Sequence, residues 1–186
     1  MKKWLILIVI ILTVVLGAIT YHSAQGPKPE KSSERKAEKV LKVTSPAFNG
    51  GELIPRKYTC QGENVNPPLA IENIPNEIKS LVLMMDDPDA PVGTFTHWLV
   101  WNIDPQTRNF LENTTPNGGV SGTNSAGKNG YTGPCPPFGT HRYIFKIFAL
   151  DNILNLPPGA KRSQLETAME NHLLGSGQLM AKYSKK

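Results

Sequence analysis

The sequence has few of the features that announce a familiar chemistry. Cysteine occurs only twice, at Cys60 and Cys135, with no Cys-x-x-Cys pair, which removes zinc fingers and thioredoxin-type redox motifs. There is no phosphate-loop pattern, no dinucleotide fingerprint and no internal repeat. No His-x-His or His-x-x-x-His pair supplies a compact metal-ligand spacing, and no strand-turn-helix elbow surrounds Ser121 or Ser125. A strongly basic domain is missing too. The formal charge is +5, but residues 1–40 hold 7 Lys/Arg and 3 Asp/Glu, or +4, which leaves 13 against 12, or +1, for everything after them. A nucleic-acid-binding face needs its basic patch on the folded part, so no nucleic-acid partner is expected.

One long apolar run is present, at the N-terminus. Lys2 and Lys3 precede an uncharged stretch from Trp4 to Ile19 that extends to about Tyr21. A run without a polar face is read as a membrane segment. Residues 1–21 are therefore expected to be a signal-anchor or a signal peptide. The small-x-small cleavage pattern is poorly formed, because Ala24 at −1 puts His22 at −3, so an uncleaved anchor is favoured. The domain that follows is expected on the extracytoplasmic side of a membrane, or secreted if cleavage occurs. Residues 22–40 are rich in Gln, Pro, Lys, Glu and Ser and read as a polar linker.

Residues 41–186 have globular composition and enough length for one core. They read mostly as strands. Candidates are Val40–Thr44, an interrupted strand over Glu52–Cys60, Lys79–Asp86, Thr96–Ile103 and Tyr143–Leu150, each β-branched, aromatic or alternating. One helix is expected over Ser163–Leu174, with Ser163 as N-cap, Glu166 completing a capping box and Gly175 as the stop. Many strands, one late helix and 16 prolines predict a mainly β domain with an antiparallel sandwich core.

Chemistry concentrates in two segments. One is Asp86-Asp87-Pro88-Asp89-Ala90-Pro91, followed by His97-Trp98; the other runs from Gly133 through Cys135 and His141 to Tyr143. Each joins a proline- and glycine-rich turn to a strand, which is how a rigid polar pocket on a sheet rim is encoded. On a strand, His141 and Tyr143 share a face, while Arg142 points away to partner a carboxylate or a carbonyl. Imidazoles, a phenol and backbone N–H groups of Gly133 or Gly139 suit an oxyanion such as phosphate. Two His plus Asp is also a known catalytic metal set, so a metal-dependent or histidine-based hydrolase is the alternative. Cys60 and Cys135 are either a disulfide bracing the pocket or two unpaired apolar residues.

These residues resemble a known family. Asp87-Pro88-Asp89-Ala90-Pro91, His97-Trp98 and Gly133-Pro134-x-Pro136-Pro137-x-Gly139-x-His141-Arg142-Tyr143 resemble the phosphatidylethanolamine-binding proteins, also called Raf kinase inhibitor-like proteins, most closely the bacterial and archaeal branch. Lys57-Tyr58-Thr59-Cys60-x-Gly62 and Asn66-Pro67-Pro68-Leu69 fit it, as does the closing Gly175-Ser176-Gly177-Gln178-Leu179; Ile71 departs where that branch often has tryptophan. The resemblance implies a β-sandwich of this type with one or two short helices and no cofactor. It implies an anion pocket lined by Asp87, His97, Gly133, His141 and Tyr143, with Asp89 close by. The implied ligand is phosphate, a phosphorylated head group or a phosphorylated peptide. The implied protein partner is a kinase or protease that the domain inhibits, with no shared catalytic activity.

Overall fold

A computed structural model describes residues 39–185. Nine strands and one α-helix follow one another in it. They are β1 (Lys39–Val40), β2 (Lys42–Thr44), β3 (Leu69–Glu72), β4 (Ser80–Asp87), β5 (Phe95–Ile103), β6 (Asn109–Phe110), β7 (Val120–Ser121), β8 (Thr140–Leu150), α1 (Arg162–Met169) and β9 (Leu173–Ser184). A six-stranded sheet has the order β1-β9-β8-β4-β5-β7, and a three-stranded sheet has the order β2-β3-β6. All pairs are antiparallel except β1 with β9.

Alternation along the central strands builds two cores. Leu81, Leu83 and Met85 of β4, Trp98 and Val100 of β5, and Phe145 and Ile147 of β8 face Leu41, Val43, Leu69, Ile71 and Phe110, so the main core lies between the two sheets. Val82 and Met84 of β4 with Leu99 and Trp101 of β5 point to the other face, where Leu165 of α1 covers them. That explains why β4 is buried along its whole length: both faces of the strand carry a layer. At 2% exposed, Ile71 fills its core position as an ordinary apolar residue.

Several expectations change. The stretch Val40–Thr44 is not one strand, because the chain crosses between sheets at Leu41: its neighbours pair with β9 on one side and β3 on the other. The crossing brings β1 so close to β9 that a Cβ at Gly177 would stand 2.2 Å from the Leu41 carbonyl oxygen, so only glycine fits. The interrupted strand over Glu52–Cys60 is a 3-10 turn, Arg56–Tyr58, started by Pro55; Leu53 alone forms an isolated bridge to Lys182. The helix begins one residue earlier than expected and ends at Met169. The backbone N–H of its N-cap, Lys161, donates to Gln164 Oε1 at 2.9 Å, while Glu166 turns to Arg162 instead. Asn171 at φ 65° then turns the chain, and Leu173 and Leu174 begin β9, which pairs along almost its whole length with β8.

The N-terminal membrane segment expected over residues 1–21 is also corrected, and with it the membrane-anchored or secreted, extracytoplasmic placement. Among the described residues no helix is long and apolar enough to cross a membrane. The α-helix described, α1, has 8 residues and carries Arg162 and Glu166, whereas a span needs roughly 20 apolar residues. Residues 1–21, and residues 22–38 of the linker expected over 22–40, lie outside the described residues, while its last two, Lys39 and Val40, form β1.

Candidate functional site

Three strand ends deliver the polar side chains to one edge of the main core. On β4, Met85 faces the core, Asp86 the opposite layer, and Asp87 the core side again. On β8, His141, Tyr143, Phe145 and Ile147 alternate inward while Arg142 is exposed. Strand β8 starts at Thr140, three residues before the expected start, and so carries His141 within the sheet.

His97 arrives differently. Between β4 and β5, Met85 pairs with Trp98 and Asp86 with Thr96, so His97 is an extra residue opposite nothing. This is a β-bulge. Strict alternation from Trp98 would send His97 to the helix-covered face; the bulge keeps it on the same side as Trp98. Thr96 then takes the other face, where its hydroxyl donates to Asp86 Oδ1 at 3.1 Å.

Each imidazole is held through one nitrogen. His141 Nδ1 donates to Asp87 Oδ2 at 2.7 Å, with both side chains 5% exposed. Asp87 Oδ1 accepts from the Asp89 backbone N–H at 2.8 Å, an Asx-turn across Pro88. His97 Nδ1 donates to the Thr132 carbonyl at 2.6 Å; a carbonyl only accepts, so the proton sits on Nδ1. Burial holds His97 below the usual imidazole range, against the opposing pull of the Thr132 carbonyl and of Asp87 and Asp86. Neither ring's Nε2 has a hydrogen-bond partner among the described residues.

Asp87, His97, Gly133 and His141 line one cavity of about 200 Å³, completed by apolar surface from Pro91, Val92, Phe95 and Pro136. Two expected members lie outside its lining. Asp89 turns to Arg142, which binds it through Nε, Nη2 and the backbone N–H. This holds the Asp89 carboxyl down to about 2. Tyr143 is fully buried behind His97, edge-on with ring centroids 5.2 Å apart. Burial first, and nearby Asp87 next, hold its phenol above the ordinary range; its hydroxyl has no hydrogen-bond partner of normal geometry among the described residues. Gly133 contributes wall rather than a free donor, because its N–H goes to Asn64 Oδ1 at 2.8 Å. A Cβ there would meet the Tyr58 carbonyl oxygen at 2.6 Å, which accounts for the glycine. The cavity thus presents two imidazole nitrogens on a mostly apolar wall, fewer donors than the sequence suggests.

The wall segment is tied down from outside. Cys135 is joined to Cys60 by a disulfide across 75 positions. Cys60 N–H donates to the Pro134 carbonyl at 3.1 Å, and Tyr131 hydroxyl to the Tyr58 carbonyl at 2.6 Å. From Asn113 to Gly133, the long loop adds only Thr132 and Gly133 to the lining. Behind the site, Asp86 is 1% exposed and paired with Lys146 at 2.8 Å and with Arg162 of α1. Asp86 is therefore the centre of a buried ion cluster. A roomier cleft of about 480 Å³ beside it, lined by Thr96, Ser125 and Lys161 among others, holds no imidazole. Among the described residues no group of three or more His, Cys, Asp or Glu is placed to hold a metal ion.

Comparison with known proteins agrees with this architecture. The family model for phosphatidylethanolamine-binding protein matches residues 44–184. A UPF0098 protein of Pyrococcus horikoshii is 46% identical, over 99% of this chain and 91% of its own length. Another UPF0098 protein, from Methanothermobacter thermautotrophicus, is 45% identical over 78% of this chain and 99% of its own. Among solved structures, a phosphatidylethanolamine-binding protein homologue from Chlamydia trachomatis superimposes with a TM-score of 0.76 at 41% identity, covering 79% of this chain and 99% of that one. E. coli YbcL superimposes with a TM-score of 0.74 at 26% identity, covering 80% and 100%. With a mainly β fold, one helix and these matches, the chain belongs to the phosphatidylethanolamine-binding protein family, in its bacterial and archaeal branch.

Proposed function

We propose that this chain is a non-catalytic binding domain whose cavity takes phosphate or a small phosphorylated head group. The observation that carries this reading is the pair of imidazoles in one small cavity, each fixed through Nδ1 with Nε2 left free. Side chains locked from behind present their other nitrogen at a set position without further loss of freedom on binding. The volume decides the ligand's size: about 200 Å³ is below the roughly 300–1,000 Å³ of drug-sized sites. It suits a head group rather than a whole lipid or a folded substrate. Val92 of the cavity wall and Phe138, edge-on to His141, are 95% and 69% exposed, apolar surface for whatever the phosphate is attached to.

A hydrolase needs a nucleophile or a metal-activated water. Ser125 Oγ accepts from the Thr96 backbone N–H and lines the other cleft. The imidazoles have only Asp87 beside them, and it is already spent on His141. Both observations favour binding over hydrolysis. The test is calorimetry of the full chain with inorganic phosphate and phosphoethanolamine, beside elemental analysis of protein purified without chelators. His97→Ala and His141→Ala should each abolish binding while circular dichroism is retained. Unchanged binding in both variants refutes the reading, and a stoichiometric metal replaces it with the hydrolase.

A further inference from the structure

Part of the cavity wall hangs on a single bond. As far as Pro134 the wall is hydrogen-bonded to residues 58–64: Tyr131 hydroxyl donates to the Tyr58 carbonyl at 2.6 Å, Gly133 N–H to Asn64 Oδ1 at 2.8 Å, and Cys60 N–H to the Pro134 carbonyl at 3.1 Å. Beyond Pro134 such ties stop. Pro136 and Pro137 have no N–H to give, and residues 135–139 make no hydrogen bond among the described residues before β8 starts pairing at Thr140. Apart from packing at buried Pro136, the disulfide from Cys135 to Cys60 is what joins this stretch to the body of the domain. Yet Cys135, Pro136 and Pro137 all line the cavity, and Phe138 stands edge-on to His141, ring centroids 6.4 Å apart. Cys135 N–H is the one backbone donor in residues 134–137, and it has no partner among the described residues, which leaves it to a ligand.

Resting on the phosphate reading above, we propose that this bridge is an exchange site for a dithiol reductant, and that its redox state sets the cavity's affinity for anions. Both cysteines are exposed, the situation of labile bridges rather than of buried structural ones. A thiolate of the reductant attacks one sulfur to give a mixed disulfide, which the reductant's second thiol then resolves. Two electrons and two protons pass to Cys60 and Cys135, which end as thiols, and the reductant ends as a disulfide. With the bridge closed, Cys135 N–H is held in place before the ligand arrives. With it open, residues 135–139 must be ordered on binding, which weakens it. The hydrogen bonds at Tyr131, Gly133 and Pro134 involve no sulfur, so the rest of the wall and the fold outlast reduction. Binding and reduction are reciprocal: whatever factor reduction removes from the affinity, a bound anion adds to the difficulty of reduction.

Calorimetry of the full chain with inorganic phosphate, first oxidised and then reduced with dithiothreitol, tests this. The reduced protein should keep its circular dichroism and bind phosphate about tenfold more weakly, the scale of one hydrogen bond to a charged group. Cys60→Ser, which alters no residue of the cavity lining, should bind as weakly as the reduced parent. By reciprocity, saturating phosphate should lower the bridge's reduction potential by about 30 mV, the same tenfold for a two-electron couple. Free-thiol counts in graded thiol–disulfide buffers read that shift. A difference under about twofold between oxidised and reduced protein, well short of one such hydrogen bond, overturns the inference and leaves the anion pocket standing. Oxidised-parent affinity in Cys60→Ser, or a potential unmoved by phosphate, does the same. A reduced chain that unfolds also overturns it and makes the bridge a structural staple. Failure of the oxidised protein to bind phosphate overturns the pocket reading itself.

Discussion

The disulfide offers the largest stability effect that can be worked from this structure. Cys60 and Cys135 are 75 positions apart and both exposed, so replacing the sulfurs by hydroxyls removes the cross-link with little change in packing. Chain-entropy loss in the unfolded state for a loop of this size is about 15 cal/mol/K, or ~4.5 kcal/mol at 25 °C. Residues 39–185 number 147, and at about 2.1 cal/mol/K per residue their unfolding entropy is about 310 cal/mol/K. The quotient is a fall in Tm of about 15 °C. Differential scanning calorimetry of the Cys60→Ser/Cys135→Ser double variant against the unaltered protein, both without reductant, measures it. A fall under about 3 °C would refute the loop-entropy reasoning. Two free thiols in the denatured, unreduced parent protein would refute the bridge itself. Because Cys135 lies in the cavity wall, the double variant should also bind phosphate more weakly than the parent even where both are fully folded.

Two further perturbations probe what lies behind the cavity. Arg162→Ala leaves Asp86 buried with Lys146 and Thr96 still in place, so chemical denaturation should show a loss of about 2 kcal/mol, short of the ~3–5 for a wholly broken buried pair; a change under about 0.5 kcal/mol, the scale of a surface pair, contradicts the burial of the cluster. The pH dependence follows from His97, whose folded pKa is depressed by burial. Below about 6.5 the unfolded chain binds a proton that the folded one does not, so stability is full above that value and falls as pH drops towards the folded pKa, by up to ~1.4 kcal/mol per unit for one group. Urea midpoints between pH 7.5 and 5.5 should decline, and His97→Phe should flatten the decline; an unchanged slope removes His97 as its source.

The central strands were legible because they are long and strongly patterned: β4, β5 and β8 appear within a few residues of where alternation and β-branching place them. The two site segments were legible because prolines and glycines bracket them. What escaped depends on partners far along the chain. The His97 bulge is a mismatch of register between two strands, and neither strand shows it alone. Asp86 looks like a turn residue until Lys146 and Arg162, 60 and 76 positions later, close on it. Gly133 looks like a free donor until Asn64, 69 positions earlier, takes its N–H. Tyr143 shares its face with His141, as the strand period requires, but lies one layer deeper, where the main core covers it. The helix ended early because its last expected turn instead pairs with β8, and sheet pairing outweighs a weak local propensity.

The central claim is that a ligand docks on the free Nε2 atoms of His97 and His141. Nitrogen-15 imidazole spectra of the full chain, recorded during titration with inorganic phosphate, read those atoms one by one. The account predicts Nδ1–H tautomers for both rings before phosphate is added. It then predicts saturable shifts at Nε2 of His97 and His141, while His172, paired with Asp151 at 2.8 Å at the far end of the sheet, stays still. Unmoved His97 and His141 signals at saturating phosphate, or a response at His172 alone, would contradict it.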